Sequence, residues 1–141
     1  MNREELLHEE AAAWSAFTDV LQRVPADRRA EEGVVPGWSA HDMIWHCGYW
    51  AGSVAGQLDG TGDMDDHDDA YWDALNAQVV EEARTMSWEE SLARSERERA
   101  RVREALVEAA DPSADVLEEF GDDTFVHYQE HTAEIESFLS G

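Results

Sequence analysis

The sequence predicts an all-α fold, a four-helix bundle with an additional helix in the long crossover between core helices two and three. Three observations lead there. Apolar residues recur at steps of three and four in each long segment, the period of one helix face. Ser-x-x-acid sequences open two of these segments, and Pro or Gly punctuates the gaps between them. No segment alternates apolar and polar residues for long enough to form a half-buried strand. A chain of 141 residues is long enough for one domain with its own core. Residues 1–141 are therefore read as a single unit.

The first helix spans Glu4 to Arg23, with Leu6, Leu7, Ala11, Trp14, Phe17, Val20 and Leu21 along its inner face. Pro25 ends it, and Glu31 to Gly37 is a loop with Pro36-Gly37 as its turn. Ser39 opens the second helix, and Asp42 completes an acidic version of the capping box. Its inward stripe is Met43, His46, Cys47, Trp50 and Val54. Gly48, Gly52 and Gly56 recur every four residues, each weakening the helix by up to about 1 kcal/mol. Their spacing reads either as close approach by a neighbouring helix or as tolerated drift.

Asp59 to Asp69 is an acidic loop. Helical pattern resumes over Ala70 to Thr85, carried by Tyr71, Trp72, Leu75, Val79 and Val80. Ser87 and Glu90 form a second capping box, which starts a long helix through Leu92, Val102, Leu106 and Val107. Asp111-Pro112 stops it. Gly121-Asp122 restarts the chain, and Thr124 to Leu139 forms the last helix, its face made by Thr124, His127, His131, Ile135 and Phe138.

Charge excludes some partners. Asp and Glu number 33 against 10 basic residues, all of them Arg, for a net charge of −23. Such a chain repels itself unless salt screens it, over a Debye length of about 8 Å at physiological strength. Salt adaptation and a codon bias that exchanges Lys for Arg both account for this composition. Either way, nucleic acid and anionic membranes are disfavoured as partners. One cysteine, Cys47, forbids an internal disulfide. The N-terminus lacks the basic and apolar regions of a signal peptide, and no apolar run is long enough to span a bilayer. These features predict a cytoplasmic protein.

The chemistry-bearing residues are histidines. His127 and His131 stand four apart on one helix, so their side chains share a face one turn apart. Alone, such a pair is a weak signal. Both, however, fall on the apolar face rather than with Glu130 and Glu134, and His46 falls on the apolar stripe of another helix. Three buried imidazoles without partners would be costly. One shared divalent ion satisfies all three and leaves a fourth position open, the pattern of catalytic sites. A core histidine held by an ordinary hydrogen bond is the plainer reading of His46 taken singly.

These same residues carry a family resemblance. Gly37 to Trp50, GWSAHDMIWHCGYW, resembles the GWSxxDxxxHxxxW signature of the DinB-like metal-binding bundle superfamily. His127 to Ile135, HYQEHTAEI, resembles its second ligand motif. Asn76 to Leu92 is similar to the third-helix region of the mycothiol-dependent maleylpyruvate isomerase N-terminal domain and of the ClbS/DfsB group. The resemblance implies a divalent ion, zinc or nickel, held by His46, His127 and His131. It implies thiol S-transfer or isomerisation with a low-molecular-weight thiol, or hydrolysis, on a small-molecule substrate, and it suggests a homodimer. Some relatives carry Glu where this chain has His127. A non-catalytic or stress-response bundle with a structural or vestigial metal is the alternative. Held by a metal, a thiol is a thiolate at neutral pH, whereas metal-bound water ionises near pH 7.

Other residues have weaker claims. Asp42 reads as a cap, or as an acceptor orienting His46. Cys47 points about 100° away from His46 on the helix and reads as core. Trp45, Tyr49, Trp50, Trp72 and Tyr128 either pack the core or wall a pocket above the metal. Asn76 either lines that cavity or is exposed. Arg84 pairs with Glu81 on the surface or binds an anion. The Asp63–Asp69 run fails the spacing of a calcium-hand loop and reads as a solvated loop. The Arg94–Arg103 stretch reads as an exposed, salt-bridged helix.

Overall fold

Five of the helices start where a short polar side chain accepts from a free N–H group of the first turn. In the computed structural model, which describes residues 1–62 and 65–141, Asn2 caps α1 (Arg3–Gln22) and Ser39 caps α2 (Ala40–Asp59). Asp68 caps α3 (Asp69–Ala83), Ser87 caps α4 (Trp88–Glu108) and Ser113 caps α5 (Ala114–Gly121). The capping box at α2 is complete: Asp42 N–H donates to Ser39 Oγ at 3.2 Å and Ser39 N–H donates to Asp42 Oδ2 at 2.9 Å. Gly60 closes α2 with φ of 80°, a conformation open to glycine. The described residues contain no strand, only an isolated bridge between Val35 and Trp38. No helix among them is long and apolar enough to cross a membrane. Asp63 and Met64, within the acidic loop, lie outside the described residues.

The predicted architecture holds, with one boundary corrected. Gly121-Asp122 does not restart the chain. Ser113 opens a helix that continues through a π-helical segment (Asp122–Val126) into α6 (His127–Ser140), so the last core helix is longer than expected. Gly121 keeps right-handed helical angles. Its role is packing, because a Cβ there would sit 3.0 Å from the Phe125 ring.

The core lies between α1, α2, α4 and the last helix. Trp14, Phe17, Met43, Ile44, Val102, Leu106, Phe120, Tyr128 and Ile135 are all buried in it. Fully burying one such side chain contributes about 1.5–3 kcal/mol. Two of the three spaced glycines of α2 face α4. A Cβ at Gly48 would come within 2.7 Å of Ser95 Cα, and one at Gly52 within 3.2 Å of Glu98 Cβ. Ser95 Oγ then donates to the Ile44 carbonyl at 2.9 Å. Gly56 instead meets the loop beyond α2, at Gly62 Cα. Close helix approach accounts for Gly48 and Gly52, and close approach of the following loop for Gly56.

The Arg-rich stretch of α4 is only partly the exposed helix expected. Arg99 and Arg103 turn inward to Glu10, which is fully buried. Arg99 grips it with two N–H groups at 2.6 and 2.9 Å, Arg103 donates at 2.7 Å, and Tyr128 OH donates at 3.2 Å. A buried carboxylate is tolerated because every lone pair has a donor.

Candidate metal centre

Helix α2 and the last helix bring the three histidines together. His46 sits midway along α2, and His127 and His131 stand one turn apart at the start of α6. The π-helical segment ends immediately before His127, and such segments recur at functional sites. His127 Nε2 lies 3.0 Å from His46 Nε2 and 2.9 Å from His131 Nε2. One ligand nitrogen from each ring falls within 4.8 Å of the other two. His46 is 5% exposed and His131 7%, while His127 is half-buried and marks the open side.

The chemistry of this cluster favours a cation over hydrogen bonding alone. A neutral imidazole carries one proton on two nitrogens, so the middle ring cannot both donate to and accept from its neighbours while satisfying its outer nitrogen. Nδ1 of His46 and Nδ1 of His127 are buried without a partner among the described residues. Burial, and then the neighbouring His127 and His131, push the His46 pKa well below the usual histidine value. Burial, with His131 beside it, pushes His127 down to about 3. Both rings are therefore neutral near pH 7 and offer lone pairs. Metal–nitrogen bonds of about 2.0–2.1 Å in a tetrahedral shell place ligand nitrogens about 3.3 Å apart, close to the spacing here. The three residues fit a divalent ion.

Surrounding groups orient the rings. His131 Nδ1 lies 3.2 Å from Glu134 Oε2, the carboxylate–histidine arrangement that fixes Nδ1–H and leaves Nε2 free. The Trp38 ring stands edge-on to His46, with centroids 4.8 Å apart. Neither residue was singled out from the sequence. By sequence Glu134 groups with Glu130 on the other helix face, yet its spacing of three from His131 brings the two side chains together. Asp42 is committed elsewhere: it caps α2 and accepts two bonds from Arg84, at 3.2 and 3.1 Å. Arg84 also donates to the Gly37 carbonyl, so neither a Glu81 pair nor a free anion-binding group describes it. Cys47 is fully buried, and burial with Glu134 and Glu130 nearby raises its thiol pKa, which suits core packing rather than a nucleophile.

The aromatic residues divide. Tyr128 is core, packed against Trp14 at 5.0 Å between centroids. Trp45, Tyr49, Trp50 and Trp72 wall a cavity of about 410 Å³ between α2, α3 and α4, but none of the three histidines lines it. Asn76 adjoins this wall, its side-chain oxygen accepting from Trp50 Nε1 at 2.9 Å.

Comparison with known proteins agrees with this architecture. A crystal structure of an uncharacterised protein from Escherichia coli UTI89 superposes with a TM-score of 0.81, covering 99% of this chain and 93% of that one at 13% identity. That likeness concerns the fold alone. No curated protein matches the sequence. The DinB superfamily matches over residues 10–135, a span that contains His46, His127 and His131. The chain belongs to the DinB superfamily.

Proposed function

We propose that this protein is a divalent-metal-dependent enzyme that acts on a small molecule by thiol transfer or hydrolysis. The reading rests on one observation: three mostly buried imidazoles from two helices turn their Nε2 atoms toward one point. His46, His127 and His131 would hold the ion; imidazole ligands suit several divalent metals, and the family resemblance implies zinc or nickel. When bound, such an ion supplies Lewis acidity, which holds a low-molecular-weight thiol as thiolate or lowers the pKa of water.

The chain's own residues prepare that chemistry. Glu134 holds the His131 proton on Nδ1, so Nε2 faces inward. Trp38 covers one edge of His46 and keeps water from that side. Half-buried His127 leaves the approach for a substrate. With a net charge of −23, nucleic acid and anionic membranes are poor partners. A homodimer in the cytoplasm completes the reading.

Elemental mass spectrometry of protein purified without a polyhistidine tag tests it, beside a His127→Ala/His131→Ala variant. About one zinc or nickel per chain, absent from the variant, is the expected result. Both proteins metal-free after exposure to divalent ions would end the proposal. Loaded protein would then be assayed for thiol consumption with an electrophile and for ester or amide hydrolysis.

A further inference from the structure

Helix α3 contributes little to the core. Val79, Val80 and Ala83, near its C-terminal end, are buried, whereas Tyr71, Trp72 and Leu75 remain partly open. Tyr71 is 41% exposed. Large apolar side chains kept open on a helix that could have buried them mark an interaction site rather than packing. These three residues face Trp45, Tyr49 and Trp50 of α2 across the 410 Å³ cavity, a volume within the range of small-molecule sites.

The rings are held in place. Trp50 Nε1 donates to Asn76 at 2.9 Å, and Trp72 Nε1 donates to the His67 carbonyl at 3.1 Å. Trp50 and Trp72 lie 5.7 Å apart between centroids, and Tyr49 stands at right angles to Trp50. Trp45 adds a buried indole N–H without a partner among the described residues. Five aromatic side chains on two helices therefore form a wall, with Trp50 and Trp72 tied in place by hydrogen bonds.

Charge narrows the ligand. Aromatic faces are negative and attract cations. Arg94 already demonstrates this, with its guanidinium 4.0 Å over the Trp45 ring. Both cations in the lining are committed: Arg94 pairs with Glu82 at 2.6 Å and Arg101 with Glu98 at 3.0 Å. An anionic ligand finds no unpaired cation among the lining residues. It also meets a chain of net charge −23.

We propose that the cavity between α2, α3 and α4 is a binding site for a planar aromatic molecule without net negative charge, separate from the histidine cluster. The ligand stacks on one indole face, Trp50 or Trp72, and meets the other, inclined at 59° to it, with its edge, while Tyr49 and Tyr71 close the sides. Because His46, His127 and His131 do not line the cavity, binding does not need the metal.

Isothermal titration with 9-aminoacridine (cationic), 9-anthracenemethanol (neutral) and 9-anthracenecarboxylate (anionic) tests this. The titrations run in EDTA with 0.5 M NaCl to screen the surface charge. The expected result is one saturable site per chain for the first two probes and at least tenfold weaker binding of the carboxylate. Trp72→Ala and Tyr49→Ala should each weaken binding at least tenfold with helical circular dichroism unchanged. If Trp72→Ala loses helicity, Tyr71→Ala on the exposed rim reads the same wall. Absence of a saturable site, undiminished binding in the folded variants, or equal affinity for the carboxylate would each overturn the proposal. Because EDTA is present throughout, a failure here leaves the metal reading untouched, and a metal-free protein leaves this one standing.

Discussion

His46 and His127 are 81 residues apart in the chain, yet their Nε2 atoms lie 3.0 Å from each other. Two helices hold them there, and with His131 they form a cluster in which two buried ring nitrogens, Nδ1 of His46 and of His127, have no partner among the described residues.

A bound ion should stabilise the fold. At a free metal concentration one hundred times Kd, ligation adds about 2.7 kcal/mol. For a chain of this size that corresponds to a rise in Tm of roughly 5–10 °C. Differential scanning fluorimetry with and without chelator measures it, and the rise should vanish in His46→Ala. An equal rise in His46→Ala would place the ion elsewhere.

Removing Glu10 should be severe. Its carboxylate is the shared acceptor for Arg99, Arg103 and Tyr128, so Glu10→Ala strands partly buried guanidinium groups. Breaking a buried pair in this way costs about 3–5 kcal/mol. Urea denaturation reads the loss, and a double-mutant cycle with Arg99→Ala should show strong coupling between the two sites. Additive effects would mean that the pair contributes little.

Gly48→Ala sets two effects against each other. Alanine gains about 1 kcal/mol of helix propensity over glycine. The new Cβ, however, would stand 2.7 Å from Ser95 Cα, on the backbone of α4. Overpacking of this kind costs about 1–3 kcal/mol, and backbone cannot rotate away. Net destabilisation is expected. A variant more stable than its parent would show that the helices separate easily.

Stability should fall as pH rises toward 8 through Asp123. Burial first, then the carboxylates of Glu119 and Asp122, raise its pKa to about 8. The unfolded value is near 3.9. Between these values the folded chain holds a proton that the unfolded chain has lost, so the contribution is fully present below about 4 and gone above about 8. Asp123→Asn should flatten this stretch of the stability profile and leave the variant more stable than the parent at pH 8.5. Chemical denaturation at pH 5, 7 and 8.5 makes the comparison, and parallel profiles would rule the assignment out.

Much of this was legible along the chain. Helical periodicity marked the inner faces of α1, α2 and α4, because each face must be apolar wherever it meets the core. Capping chemistry is local, so Ser39-Asp42 and Ser87-Glu90 announced their helices correctly. The apolar setting of His46, His127 and His131 marked them as a set.

Other features depend on contacts between distant segments. Gly121 looks like a helix breaker by itself, yet it continues the helix beneath the Phe125 ring. Glu10 looks like one more surface acid in a chain with 33 acidic residues until α4 lays two arginines against it. Arg84 reads as a free cation until it closes on Asp42. Periodicity and capping determined which residues face inward and where helices start, since both act within a few turns of one helix. Partnership was decided only by the packing of the helices on one another, because hydrogen bonds, ion pairs and aromatic walls depend on distances that a linear sequence does not contain.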